Sequence, residues 1–126
     1  MLSNANSHTL IAAKDVNRAK SFYEDKLGLK SQQPVPGLFV FAGPNGGVFQ
    51  LFASPFAGTA KNAVMGWAVA NLKDEVAQLK SRGVVFEEYD LPSFKTIDSV
   101  VTMEHGLSAW FKDSEGNMLG LVQWKS

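Results

Sequence analysis

Asp15-Val-Asn-Arg-Ala-Lys-Ser-Phe-Tyr-Glu-Asp-Lys-Leu-Gly-Leu29 is the stretch from which the fold is read. Asp15 suits a helix N-cap, because its carboxylate accepts an orphan backbone N–H from the first turn. Val16, Ala19, Phe22, Tyr23 and Leu27 then recur at three- and four-residue steps, which predicts one buried helical face over 16–27. Gly28 supplies the stop. Upstream, residues 7–13 predict a short buried strand. Downstream, Leu29–Val35 predicts an edge strand, since Pro34 and Pro36 cannot donate to a central ladder. Leu38–Ala42 and Val48–Ala53 predict a hairpin around Pro44-Asn45-Gly46.

The same order then recurs. Val64–Ala70 reads as a strand, Asn71 as a weaker cap, and Leu72, Val76 and Leu79 as one helical face closing at Gly83. Val84–Tyr89 reads as a strand, and Ser108–Lys112 with Met118–Gln123 as a hairpin around Asp113-Ser-Glu-Gly-Asn117. The chain is thus expected to be one α+β domain over residues 1–126. Module one is residues 7–54, a linker covers 55–62, and module two is residues 63–124, each module running β-α-β-β-β. Neither module can bury both faces of a small sheet alone, so the two should pack together.

The repeat is uneven. From helix cap to hairpin turn is 28 residues in module one (Asp15 to Gly43) and 42 in module two (Asn71 to Asp113). The extra residues fall around Asp90–Gly106, and an insertion of that length is a lid, an interface patch or a packed surface excursion.

Composition narrows the function. The 126 residues are 45% hydrophobic, with nine Phe, two Tyr and three Trp, which supports a substantial core. Twelve basic and twelve acidic side chains cancel and are interspersed, so neither nucleic acid nor an anionic membrane is an expected partner. The absence of cysteine excludes disulfides, thiolate ligands and a cysteine nucleophile. No apolar run reaches spanning length, and the first residues lack the basic start and apolar stretch of a signal peptide, so a cytoplasmic location is expected.

Two motifs together resemble the vicinal oxygen chelate superfamily, which contains glyoxalase I, bleomycin-resistance proteins and extradiol dioxygenases. One is the Asp15…Phe22-Tyr23…Leu27-Gly28-Leu29 pattern. The other is Phe111-Lys-Asp113-Ser-Glu-Gly-Asn117, in which Ser114 and Glu115 stand where the family has Pro-Asp. The resemblance covers nearly the whole chain. It implies two tandem βαβββ modules forming a curved, groove-enclosing mixed sheet with helices packed outside, commonly in a homodimer. In the family's metalloenzymes it also implies a divalent ion held by four side chains. One lies on each first strand, seven residues before the cap, and one on each last strand, three residues after the turn.

Those positions here are His8, Gln50, Val64 and Gly120. An imidazole and an amide are possible ligands; an isopropyl group and a glycine are not. Catalytic sites commonly keep three protein ligands. No metal or other cofactor is therefore expected, with His8 and Gln50 as ligands only if a metalloenzyme reading holds. The carboxylate that usually serves the family as general base is also missing.

Side chains alternate along a strand, so these positions mark the groove face. They bring with them Leu10, Ala12, Val48, Phe52, Gly66, Ala68, Met118 and Val122, while the hairpin partners add Leu38, Val40, Ser108 and Trp110. The opposite face, including Phe39, Phe41, Phe49, Leu51, Trp67, Phe111 and Leu121, belongs to the core. The groove reads as aliphatic, with space at its small residues. Phe52 and Trp110 would stack on a planar ligand, and His8, Gln50 and Ser108 would orient it. Ligand contacts are thus assigned to His8, Leu38, Val40, Gln50, Phe52, Val64, Ser108, Trp110 and Gly120.

Other chemistry is poorly supported. Glu104 and His105 are adjacent and point apart, there is no Gly-x-Ser-x-Gly elbow, and Gly43-Pro-Asn-Gly-Gly47 is better read as a hairpin turn than a phosphate loop. Glu87-Glu88 reads as an edge pair. Three functions stay open: a metal-independent small-molecule binding protein, a glyoxalase-like lyase or dioxygenase using His8 and Gln50, and a non-enzymatic interaction module.

Overall fold

The computed structural model describes residues 1–126, the side chain of Asn45 excepted. β1 (Thr9–Ala13) leads into α1 (Val16–Ser21), whose N-terminus is capped as the sequence predicts. The Asp15 carboxylate accepts from the backbone N–H of Asn17 at 3.1 Å and of Arg18 at 3.0 Å. The helix does not run on regularly to Leu27. It widens into a π turn over Phe22–Lys26 before Gly28 leaves it at φ +74°. A π turn advances each residue by a smaller angle, so the neighbours Phe22 and Tyr23 both reach inward. Tyr23 is fully buried, and the Phe22 ring lies 6.5 Å from that of Phe111.

β2 (Ser31–Val35), β3 (Leu38–Ala42) and β4 (Val48–Ala53) complete module one, in the order β1-β4-β3-β2. β1 runs parallel to β4 and the other pairs are antiparallel. β2 is the edge strand, and its register slips between Gln32 and Val35, next to Pro34. In module two, β5 (Met65–Ala68) and α2 (Leu72–Ser81) precede the short pair β6 (Asp90–Leu91) and β7 (Phe94–Lys95). β8 (Val101–Met103), β9 (Gly106–Lys112) and β10 (Met118–Trp124) follow, and the sheet order is β5-β10-β9-β8. Asn71 caps α2 with a single bond, from Asp74 N–H at 3.2 Å. Two α/β units with mixed four-stranded sheets make the α+β fold of two βαβββ modules.

One expected strand is not formed. Over Val84–Tyr89 only Phe86 bridges to Phe111, with Glu87 N–H donating to the Trp110 carbonyl at 2.8 Å. Val84 and Phe86 are buried and Val85 is exposed, so the segment alternates as a strand does. It has no longer ladder because β8, from the insertion, pairs with the other end of β9 and holds the edge position. The insertion therefore contributes one strand, β8, to the sheet.

The face assignment is clear. Ile11, Phe39, Phe41, Leu51, Phe111, Leu119 and Leu121 are buried in one cluster shared by both modules, with Trp67 packed against it. Trp67 stacks on Phe111 at 6.4 Å and meets Phe49 edge-on at 6.2 Å, so it is a core residue, as its strand position predicts. Each large side chain buried this way contributes roughly 1.5–3 kcal/mol.

Polar groups lock the modules together at the Asp113–Asn117 turn. The Glu115 carboxylate accepts from Asp15 N–H at 2.9 Å and from two guanidinium nitrogens of Arg18 at 2.8 and 3.0 Å. Tyr23 Oη donates to Asp113 at 2.7 Å. The Asn117 amide donates to the Ala12 carbonyl at 2.8 Å and to Asp113 at 2.9 Å, and accepts from Gly58 N–H at 3.0 Å. The linker thus docks on the same turn. Gly58 has φ +75°, and a β-carbon there would fall 2.6 Å from the Glu115 carbonyl oxygen. Among the described residues no buried side-chain polar atom lacks a partner.

Candidate functional site

The register lays out the face opposite the core as two matching rows. In module one Leu10, Gln50 and Val40 stand side by side across β1, β4 and β3. In module two the row is Gly66, Gly120 and Trp110 across β5, β10 and β9. The repeat makes these rows equivalents. They form an open apolar surface, with Leu10 55% and Val64 36% exposed. Val40, Gln50, Phe52, Leu38 and Trp110 are half-buried, while His8 lies exposed just before β1.

Module two carries an aromatic wall that sequence reasoning missed. Trp110 is met by Phe94 at 5.3 Å between ring centroids and by Tyr89 at 6.1 Å, and these two rings pack edge-on at 5.3 Å. Phe94 belongs to the insertion and Tyr89 immediately precedes it, and Thr96 N–H donates to the Tyr89 carbonyl at 2.9 Å beside the β6–β7 pair. Further along β9, Val101 and Ser108 are register partners on the groove face and both are buried. Their module-one counterparts, Val35 and Leu38, are more open. The insertion therefore covers the groove face at Trp110.

Glu88 holds that cover in place. Its carboxylate accepts from Ser99 Oγ at 2.6 Å, Ser99 N–H at 3.1 Å and Thr96 Oγ1 at 2.7 Å. The Ser99 hydroxyl, followed by Thr96, keeps its pKa below the ordinary carboxylate range. Burial is the main cause that raises the Tyr89 phenol above its usual value.

The glycines do something other than leave volume. A β-carbon at Gly120 would lie 3.3 Å from Cδ1 and Nε1 of Trp110, so the indole already occupies that space. At Gly66 a β-carbon would meet the Gly120 carbonyl oxygen at 2.7 Å, so glycine is required by close backbone approach. Open space lies instead between the modules, in a cleft of about 400 Å³ that includes Val48, Gly66, Ala68 and Trp67.

One polar candidate also differs from expectation. Ser108 is buried and bonded to His105 Nε2 at 3.1 Å, which leaves it poorly placed to orient a ligand. The His105 ring rests on Trp124 at 5.3 Å. Among the described residues no carboxylate hydrogen-bonds to His105, so this Ser–His pair is not a triad.

At the four positions that resemblance marks for a divalent ion, the side chains are one exposed imidazole, one half-buried amide, one valine and none. Among the described residues no three His, Asp or Glu converge elsewhere. This donor set does not fit a divalent ion, which favours several charged or imidazole ligands in one shell.

Two βαβββ modules locked through an Asp-x-Glu-Gly-Asn turn agree with the sequence comparison. The model of the Glyoxalase/Bleomycin resistance protein/Dioxygenase superfamily matches residues 6–121. The chain belongs to that superfamily. No curated protein is significantly similar to it in sequence. Among solved structures it is similar to a bleomycin-binding protein complexed with bleomycin, with TM-score 0.71 and 20% identity over 97% of this chain and 100% of that one. A glyoxalase/bleomycin resistance protein from Catenulispora acidiphila gives TM-score 0.71 at 19% identity, covering 95% and 98% of the two chains. A mutant of the fosfomycin resistance protein FosX from Listeria monocytogenes, complexed with Mn(II) and a dihydroxypropylphosphonic acid, gives 0.67 at 13%, covering 97% and 91%. At these identities the likeness establishes the superfamily fold. No helix is long and apolar enough to cross a membrane.

Proposed function

We propose that the chain is a metal-independent small-molecule binding protein, acting in the cytoplasm as a homodimer, which holds a planar, largely apolar ligand on its groove face. The carrying observation is the Tyr89–Phe94–Trp110 wall on a groove face that is otherwise mostly aliphatic. Rings favour offset or edge-on partners, so an aromatic ligand would extend a packing pattern the wall already has. Gln50, in the matching row of module one, is the polar group best placed to orient it. The exposed apolar row in each chain is also the kind of surface that a second copy would cover. The bleomycin-bound neighbour supports a ligand-holding use of this fold.

A second reading has one observation in its favour. The indole fills the space at Gly120, as expected if the groove serves association alone. Calorimetric titration separates the readings and tests the metal. Bleomycin and neutral 2-naphthol are titrated into chelator-treated protein, then into protein supplied with Zn, Ni, Mn or Fe(II). Saturable binding that metal does not change is the expected result. Binding only with metal would establish the metalloenzyme reading, and none under any condition would leave association.

A further inference from the structure

The far side of the insertion forms a second cleft, away from the groove, between α2 and the segment around Lys95–Thr102, with a volume of about 520 Å³. Although the chain is neutral overall, three lysines meet here: Lys73 and Lys80 from α2, and Lys95 from β7. Lys73 and Lys80 are two turns apart on one helix face, about 10 Å along the axis. Among the described residues neither forms an ion pair, and the nearest carboxylate to Lys95, on Asp90, is at 4.0 Å. The acids facing them are Asp90, which pairs with Lys95, Asp98 on the rim, and Glu88, which interacts with Lys80 and is held by Ser99 and Thr96.

The floor of this cleft is apolar. Val76 and Val100 are buried, and Ile97 is 72% exposed beside the lysines. The backbone that presents Ile97 is unusual. Asp98 and Ser99 have φ of 51° and 72°, consecutive left-handed residues that are not glycine, in a tight turn closed by mutual Ile97–Val100 backbone bonds at 2.9 and 3.1 Å. Such turns favour Asn-Gly, and strain of this kind persists only where its surroundings over-determine it. Here the three bonds to Glu88 do so.

We propose that this cleft binds a small organic carboxylate with an apolar body, the carboxylate among Lys73, Lys80 and Lys95 and the body on Ile97 and Val76. Asp98 on the rim disfavours multiply charged anions such as phosphates. Exposed charge pairs are weak alone, so contact with Ile97 is needed for binding.

Amide chemical shifts of the full chain, titrated with octanoate, test this. Saturable shifts are expected at residues 73–80 and 95–100, with a dissociation constant of about 1 mM for so small a ligand. Octylammonium and inorganic phosphate should produce none. K73Q/K80Q and Ile97→Ser should each weaken octanoate roughly fivefold or more, with unchanged melting temperature and unchanged response of Trp110 to 2-naphthol. Absence of saturable shifts, equal binding of octylammonium, equal binding of phosphate, or shifts centred on Trp110 would each overturn the proposal.

Discussion

Glu115 replaces the aspartate that the resembled motif carries in this turn, and the longer side chain reaches both the cap of α1 and Arg18. Its side chain is fully buried, and the Arg18 guanidinium is the main reason its pKa is held down, to about 2. A carboxyl whose folded pKa is depressed contributes stability above its unfolded pKa, near 4.5, and loses it as the pH falls towards 2. Melting temperature should therefore drop over that window, by a stability change of about 2–3 kcal/mol from this group. In Glu115→Gln the drop should be smaller and the neutral-pH stability lower. An unchanged acid profile would contradict the assignment. At the same scale, the exchange of Gln50 for Gly120 was legible from the repeat, because both follow a hairpin turn by three residues. That the Gly120 space is filled by Trp110 was not, since the indole packs against Tyr89 and Phe94, which lie 21 and 16 residues before it in sequence.

The 84–103 segment is where the pattern of the chain and its structure part. Alternating Val84, Val85 and Phe86 satisfies the rule for a strand, but pairing also needs a free edge, and β8 shares that of β9. Length alone revealed an insertion, and its aromatic and charged content suggested a lid or an interface. Its course depends on tertiary contacts that periodicity does not encode: Glu88 to Ser99 and Thr96, and Tyr89 and Phe94 to Trp110. Glu88→Gln should weaken this clasp and let the 90–96 pair open. Limited proteolysis within 89–100 should then be faster by roughly tenfold, the effect of about 1.4 kcal/mol on local opening. Equal cleavage rates would show that the aromatic contacts suffice. The helices, by contrast, were readable because cap, apolar period and terminal glycine agree; only the π turn at Phe22 escaped, since it answers to the packing of two adjacent rings.

For the whole molecule, duplication makes two similar modules and the differences between them make the candidate site. Module one supplies an open row with Gln50, and module two supplies the aromatic wall and its cover. The modules are fixed to one another by the Asp113–Asn117 turn, so each groove face stays on the outside of a shared core. An apolar face left open on this scale predicts self-association. Leu10→Arg, at an exposed position, should shift the chain from dimer to monomer in light scattering without lowering the monomer's stability by more than about 0.5 kcal/mol. A wild-type chain that is monomeric at high concentration would refute the dimer. The central claim is that Trp110 contacts ligand without metal, and its indole N–H resonance reports on that directly. Titrated with neutral 2-naphthol in the presence of chelator, the Trp110 signal should shift saturably while those of Trp67 and Trp124 stay in place. A stationary Trp110 signal, or a shift that appears only when a divalent metal is restored, would contradict the account.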